Sequence, residues 1–206
     1  RSIDWSAYIY QLKMIIDGEF DYRKIRRRTG WLVYPAGHVY NLYILYKFSW
    51  DGEILAVRII FAALYCIMNY IIFKIYDDSL QKNKHWIKIF IAICQILPTC
   101  IVERLFNDVF VMIYMYMSIY FLINFHKYPL YISTILYGFA LSVKMNAFLF
   151  LPGFLYVMNR MKGPVFLIIQ LIIIGLINVA VSLPFIIANP HNYFNKSFDF
   201  SRTFEF

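Results

Sequence analysis

Residues 164–188 read PVFLIIQLIIIGLINVAVSLPFIIA, a run without a single charged side chain. A helix needs about 20 mostly apolar residues to cross a hydrocarbon core of about 30 Å, and this run suffices. Pro164 suits a first helical turn, where its missing N–H is no loss, and Pro184 falls near the end. Working outward, the same character recurs. Residues 54–76 carry only Arg58 ahead of Lys74, residues 87–103 have Pro98 near their end, and residues 109–125 hold no charge. Residues 130–158 are broken only at Lys144-Met145-Asn146, which fits either one long tilted helix or two short helices meeting at Lys144. Counted as a pair, they bring the total to six crossings. The expected fold is all-α, a polytopic membrane helix bundle over 54–188. It would lie between an amino-terminal segment, 1–53, and a polar, aromatic tail, 189–206. Within 1–53, residues 8–17 predict an amphipathic interfacial helix ended by Gly18, and residues 39–48 are too short to cross alone.

Composition agrees. The 206 residues are 61% hydrophobic, 20% aromatic and 16% charged, with a net charge of +8. Disordered, collagen-like and coiled-coil chains are excluded, because each needs a polar or repetitive sequence. Cys66, Cys94 and Cys100 lie in apolar runs and read as small packed hydrophobes rather than a disulfide framework. His38, His85, His126 and His191 are scattered without a second ligand at short spacing, so no metal site and no cofactor are expected. No glycine-rich phosphate loop or Gly-x-Ser-x-Gly elbow occurs. The basic run at 23–28 would meet lipid headgroups or a diphosphate rather than nucleic acid in a chain this apolar. Asn195-Lys196-Ser197 matches a glycosylation acceptor pattern too short to carry weight. The chain opens on Arg1 without a cleavable signal pattern, and its natural start is expected to lie upstream.

Six crossings put both ends on one side. The short connectors opposite hold Lys74, Lys82, Lys84, Lys88, Lys127, Arg160 and Lys162, against Arg104 and Lys144 on the side of the ends. The positive-inside rule then places the ends outside the cytosol, although the eight Lys and Arg of residues 1–53 count the other way. On that topology four polar clusters share a side: Asp4 with Glu19 and Asp21, Glu103-Arg104 with Asn107-Asp108, Lys144 with Asn146, and Asp199 with Arg202. A carboxylate beside several cations is what transfer from an anionic carrier requires, one to take a proton and the others to hold the departing phosphate. The alternative is that each cluster only solvates a helix end.

Read together, several blocks resemble a known family. They are Ile3-Asp4-Trp5 with Ala7-Tyr8, Gly18-Glu19 with Asp21-Tyr22, Thr29-Gly30, and Leu32-Val33-Tyr34-Pro35-Ala36-Gly37-His38-Val39-Tyr40. Arg104-Leu105-Phe106-Asn107-Asp108, Leu141-Ser142, Lys144-Met145-Asn146-Ala147, Leu151-Pro152-Gly153, Asn189-Pro190, Tyr193 and Phe198-Asp199-Phe200 with Arg202 and Phe204 follow in order. The chain resembles the dolichyl-phosphate-mannose-dependent alpha-1,3-mannosyltransferases of the endoplasmic reticulum over nearly its whole length. The resemblance implies part of a C-type glycosyltransferase fold in the endoplasmic reticulum membrane with its active face lumenal. Its donor would be dolichyl-phosphate mannose and its acceptor the pentamannosyl chitobiosyl diphosphodolichol, with inversion by direct displacement and no metal. Asp4 would be the general base. Lys144, Arg104 and Arg202 would anchor phosphate or diphosphate charge, Tyr34 and His38 would shape the sugar pocket, and Asp108 and Asn146 complete the expected substrate-binding set.

Two departures from the family pattern stand out. Arg28-Thr29-Gly30-Trp31 replaces Asp-Thr-Gly-Pro, and Ser2 stands where an acidic residue is expected, leaving Asp4 the sole carboxylate of its motif. The family also continues beyond Phe206 with further spans, so the chain reads as the amino-terminal part of an enzyme. A sister transferase of the same fold, a transporter lined by Lys144 and Arg104, and a non-catalytic fragment are the competing readings.

Overall fold

The computed structural model describes residues 3–27, 30–79, 104–126 and 128–199. The apolar stretch 87–103, with Cys94 and Cys100, His85, and Arg202 in the tail lie outside the described residues.

Helix α1 (Ile3–Ile16) buries Trp5, Tyr8, Leu12 and Ile15, a stripe at helical spacing that faces the rest of the protein. It begins five residues earlier than its amphipathic pattern suggested, placing Asp4 in its first turn, where a carboxylate suits the helix dipole. Gly18, at φ +98°, turns the chain out of it. A two-stranded antiparallel hairpin follows, β1 (Arg26–Arg27) with β2 (Gly30–Trp31), Arg26 opposite Trp31. This hairpin is a small departure from the all-α expectation.

Helix α2 (Ala36–Phe48) leads through a left-handed turn at Trp50, Asp51 and Gly52 into α3 (Ile54–Ser79), where Glu53 Oε2 accepts the Ala56 N–H at 2.7 Å and caps the new helix. Helices α4 (Asp108–Ile123) and α5 (Leu130–Val143) form the centre. The hydroxyls of Ser118 and Ser133 each donate to the other residue's carbonyl at 2.8 Å, joining α4 to α5 without leaving a polar group bare. On one flank Phe61 of α3 meets Phe110 of α4, ring centroids 5.7 Å apart.

The 130–158 stretch divides at Lys144. Its backbone is extended (φ −154°, ψ 133°), a 3₁₀ turn (Met145–Phe150) follows, and the chain re-enters helix as α6 (Leu151–Ala188). Tyr137 fixes this join by donating to the Ala147 carbonyl at 2.8 Å while its ring stacks on Phe154. Helix α6 breaks at Gly163 (φ 82°, ψ 177°), and Pro164 opens its second half, as its position in the run predicted. Thr134 and Gln170, bonded at 2.6 Å, tie this second half to α5. The short α7 (Pro190–Ser197) is capped by Asn189, whose side chain accepts the Asn192 N–H at 3.0 Å.

Among the described residues two helical segments are long and apolar enough to cross a membrane, Ile54–Ser79 and Met145–Ala188. Both leave large apolar side chains uncovered, Ile59 at 63%, Leu176 at 63% and Ile187 at 75% exposure, which a core helix of a water-soluble domain would bury.

Candidate active site

The site gathers where the amino-terminal segment crosses the end of α5. Pro35 leads into α2 with an extended backbone, and the next two positions decide what meets what. A Cβ on Gly37 would lie 2.7 Å from the Ser142 carbonyl oxygen, so only glycine lets α2 press this closely on α5. That contact sets His38 beside the point where α5 ends and Lys144 leaves it.

His38 is fully buried. Its ring lies between Tyr34 and Tyr8, with centroids 4.5 Å and 4.9 Å away. The Asn107 side-chain amide donates to His38 Nδ1 at 3.1 Å, which leaves the ring proton on Nε2. That Nε2 and the Asn107 Oδ1 are buried without a hydrogen-bond partner among the described residues. Burial, reinforced by the nearby Lys144 charge, pushes the His38 imidazolium down to about 3, so the ring is neutral at physiological pH.

Lys144 reaches across to α4. Its ammonium contacts Asp108 Oδ1 at 2.7 Å and sits 5.9 Å from the Tyr34 ring centre. Both partners of the ion pair keep some exposure, 18% for the Lys144 side chain and 35% for Asp108, so the cation remains open to a ligand. The Tyr8 hydroxyl donates to the Tyr34 oxygen at 3.4 Å. Burial holds the Tyr8 phenol far above its ordinary range, with Tyr34, Asp4 and Asp108 adding to the shift. Asp4, exposed on α1, stands one turn before Tyr8 on the same helix. The Tyr34 carbonyl is held in turn by the Tyr22 hydroxyl at 3.0 Å.

Of the residues singled out in the sequence, Tyr34, His38, Asp108 and Lys144 come together, and Asp4 lies within electrostatic reach through Tyr8. Arg104 and Asn146 are exposed and make no hydrogen bond or ion pair to another described residue. Asp4 does not group with Glu19 and Asp21: the 12 residues of α1 that follow it, 5–16, stand between them, about 18 Å of helix. Glu19 pairs instead with Lys24 at 3.5 Å, and Asp21 accepts from Asn192 at 2.8 Å. Tyr8 and Asn107 were missed as site residues. The signal for Tyr8 was its place one turn after Asp4 on the same helix face. Asn107 had only its place beside Asp108. Among the described residues no group of three or more His, Cys, Asp or Glu is arranged to hold a metal ion.

The arrangement offers a solvent-facing carboxylate, a half-open ammonium, and neutral aromatic and imidazole surfaces between them. Those are the parts for taking a proton from a hydroxyl and holding an anionic leaving group on one face.

Comparison with known proteins adds the lineage. The chain matches the family described as ALG3 protein over residues 1–206. It is 32% identical to a protein of Dictyostelium discoideum named a probable Dol-P-Man:Man(5)GlcNAc(2)-PP-Dol alpha-1,3-mannosyltransferase, covering 98% of this chain and 51% of that one. Proteins of Neurospora crassa and Homo sapiens that carry the same name without the qualifier are each 33% identical, over 99% of this chain and 46% of theirs. The chain thus spans about half the length of these curated relatives. No solved structure matches it. With a family match over residues 1–206, which include Asp4, Tyr34, His38, Asp108 and Lys144, the chain belongs to the ALG3 protein family.

Proposed function

We propose that this chain is the amino-terminal part of an inverting alpha-1,3-mannosyltransferase. It would move mannose from dolichyl-phosphate mannose to the lipid-linked pentamannosyl chitobiose acceptor, on the lumenal face of the endoplasmic reticulum membrane. The observation that carries this reading is the match of the whole chain to a family whose curated relatives are named for that transfer, and the half-open Lys144–Asp108 pair beside Tyr34 supports it. In the reaction, an acceptor hydroxyl attacks C1 of the donor mannose from the face opposite the phosphate. The C1–O bond to phosphate breaks, dolichyl phosphate leaves, and Asp4 takes the hydroxyl proton. Lys144, already neutralised on one side by Asp108, offers its remaining N–H groups to the phosphate oxygens that gain charge. The half-buried Tyr34 ring faces the sugar with neutral, buried His38 holding it from behind, and Arg104, Asn146 and Arg202 are proposed to complete the polar set for the two substrates.

The architecture proposed with this function is a multi-pass bundle of the C-type fold, in which α3 and the second half of α6 cross the membrane and α4 and α5 are shorter spans packed between them. The uncovered apolar side chains of α3 and α6 support it. The transporter reading is not favoured, because the relatives are named as transferases. The test is elongation of the pentamannosyl acceptor in microsomes carrying the full-length gene product and supplied with donor. Asp4→Asn is expected to keep acceptor binding and lower turnover by about two to four orders of magnitude. Turnover at the wild-type rate would remove Asp4 from the mechanism.

A further inference from the structure

A second cluster of cations lies away from Lys144, between the hairpin and α7. Its cleft, of about 780 Å³, is lined by Arg23, His191, Phe194, Lys196, Phe198 and Asp199 among others. The basic run of the sequence divides here. Lys24 is taken by Glu19, and Arg27 by the Ser6 hydroxyl and the Tyr10 ring. Arg23 faces the cleft, and Arg26 lies over the Trp31 ring at 5.6 Å. Lys196 of α7 lies over the same indole at 4.1 Å. Arg23 and Lys196 thus line the cleft, and Arg26 shares the Trp31 ring with Lys196 beside it. Asp199 on the lining and Asp21, held by Asn192, are the carboxylates next to them, which leaves three cations against two carboxylates along a concave surface. Phe194 and Phe198 make the cleft's other wall apolar. Helix α7 begins two residues after α6 ends at Ala188, so the cleft sits at the end of an apolar rod, where headgroups would be met.

We propose that this cleft binds the diphosphate of a polyprenyl-linked lipid, as an anion site separate from Lys144. The inference rests on the transferase reading above, because that reaction brings two anionic lipids to one face and the Lys144 ammonium is already shared with Asp108. The acceptor's reacting hydroxyl lies several sugars from its diphosphate, so the two groups need separate holds. The cleft is placed for this. Phe198 on its wall meets Phe148 of the turn after Lys144, with ring centroids 6.3 Å apart. Behind it, the Tyr193 oxygen accepts the Ala36 N–H at 3.4 Å, and Asn192 donates to Asp21. The cleft and the segment carrying Tyr34 and His38 are thus one packed unit.

The experiment uses the full-length protein in phosphatidylcholine nanodiscs and radiolabelled geranylgeranyl diphosphate as the probe, with geranylgeraniol as the uncharged comparison. Wild type is expected to bind the diphosphate and not the alcohol. The double variant Arg23→Gln/Lys196→Gln should bind it roughly tenfold more weakly, and Arg23→Lys/Lys196→Arg should retain binding. In the transfer assay the Gln variant should raise KM for the diphosphate-linked acceptor by a similar factor and leave KM for the donor in place. Unchanged binding in the Gln variant would overturn the proposal, as would equal loss in the charge-keeping variant, which would assign the effect to packing. Displacement of the probe by phosphatidylserine added to the nanodiscs would likewise overturn it, by showing a site for bulk anionic headgroups. Because binding is read without turnover, a protein that binds the probe but transfers no mannose fails the transferase reading alone. One that transfers mannose without binding the probe fails the cleft alone.

Discussion

At the scale of single residues, His38 is the most constrained group in the site. It is fully buried, wedged between two tyrosine rings, and bonded on one nitrogen to Asn107 while the other has no partner among the described residues. A buried polar atom without a partner costs about 1–3 kcal/mol, so the site holds a histidine where an apolar residue would be more stable. Its protonation equilibrium makes this measurable. The folded ring titrates near 3 against 6.5 for an ordinary histidine, so between those values the unfolded chain binds a proton that the folded chain refuses. Stability contributed by neutral His38 is therefore fully present above about pH 6.5 and is lost as pH falls toward 3. Between neutral pH and pH 5 the loss is expected to be about 2 kcal/mol, and thermal unfolding of the detergent-solubilised protein should show it. His38→Gln keeps hydrogen-bonding capacity but cannot titrate, and should flatten the curve over that range. An equal acid sensitivity in the variant would assign the effect to other groups. Sequence reasoning found Tyr34, His38, Asp108 and Lys144 because they sit in recognisable blocks. It did not assign Asn107 and Tyr8 because their roles arise from contacts that join residues 38 and 107, or 8 and 34, for which the place of Tyr8 one turn after Asp4 and of Asn107 beside Asp108 gave only a faint local hint.

At the scale of elements, the breaks in the helices were more legible than their packing. Gly163-Pro164 and Lys144-Met145-Asn146 interrupt apolar runs with residues that oppose helix or burial, and the chain turns at both. The hairpin at 26–31 left no such mark, since two residues per strand are too few for an alternating pattern. Nor did the approach of α2 to α5, which depends on a missing side chain at Gly37. That approach predicts a sharp contrast between glycines. Gly37→Ala forces a methyl against the Ser142 backbone, which cannot retreat as a side-chain tip would, and should cost about 1–3 kcal/mol. It should also part His38 from Asn107 and lower transfer activity, because α2 carries one and the start of α4 the other. Gly175→Ala, also on a helix, would meet nothing within 4 Å and should leave both stability and activity close to wild type. Thermal unfolding and acceptor elongation measured on the two variants check the contrast, and similar behaviour of the pair would refute the tight crossing.

At the scale of the whole molecule, the question is what covers the apolar faces of α3 and α6. Leu55, Ile59 and Tyr70 on one, and Ile168, Ile172, Leu176 and Ile187 on the other, are exposed at helical spacing, so each helix leaves one continuous apolar face uncovered. A lipid bilayer would cover both apolar faces at once, on helices already long enough to cross it. The second half of α6, 164–188, rises about 37 Å at 1.5 Å per residue, enough to carry Lys162 and Asn195 to opposite surfaces. Arg160 and Lys162, just before the Gly163 break, supply the positive charge expected of a cytosolic connector. The polar α7, with the hairpin and the Asp4–Lys144 site packed against the same end, belongs on the lumenal side in this arrangement. The prediction is tested by replacing Cys66, Cys94 and Cys100 with serine in the full-length protein and then introducing Lys162→Cys or Asn195→Cys. In sealed microsomes a membrane-impermeant maleimide should label the first variant directly and the second only after detergent opens the vesicles. Labelling of both before permeabilisation would show that α6 does not cross, and the reverse order would place Asp4 and Lys144 in the cytosol, away from a lumenal acceptor.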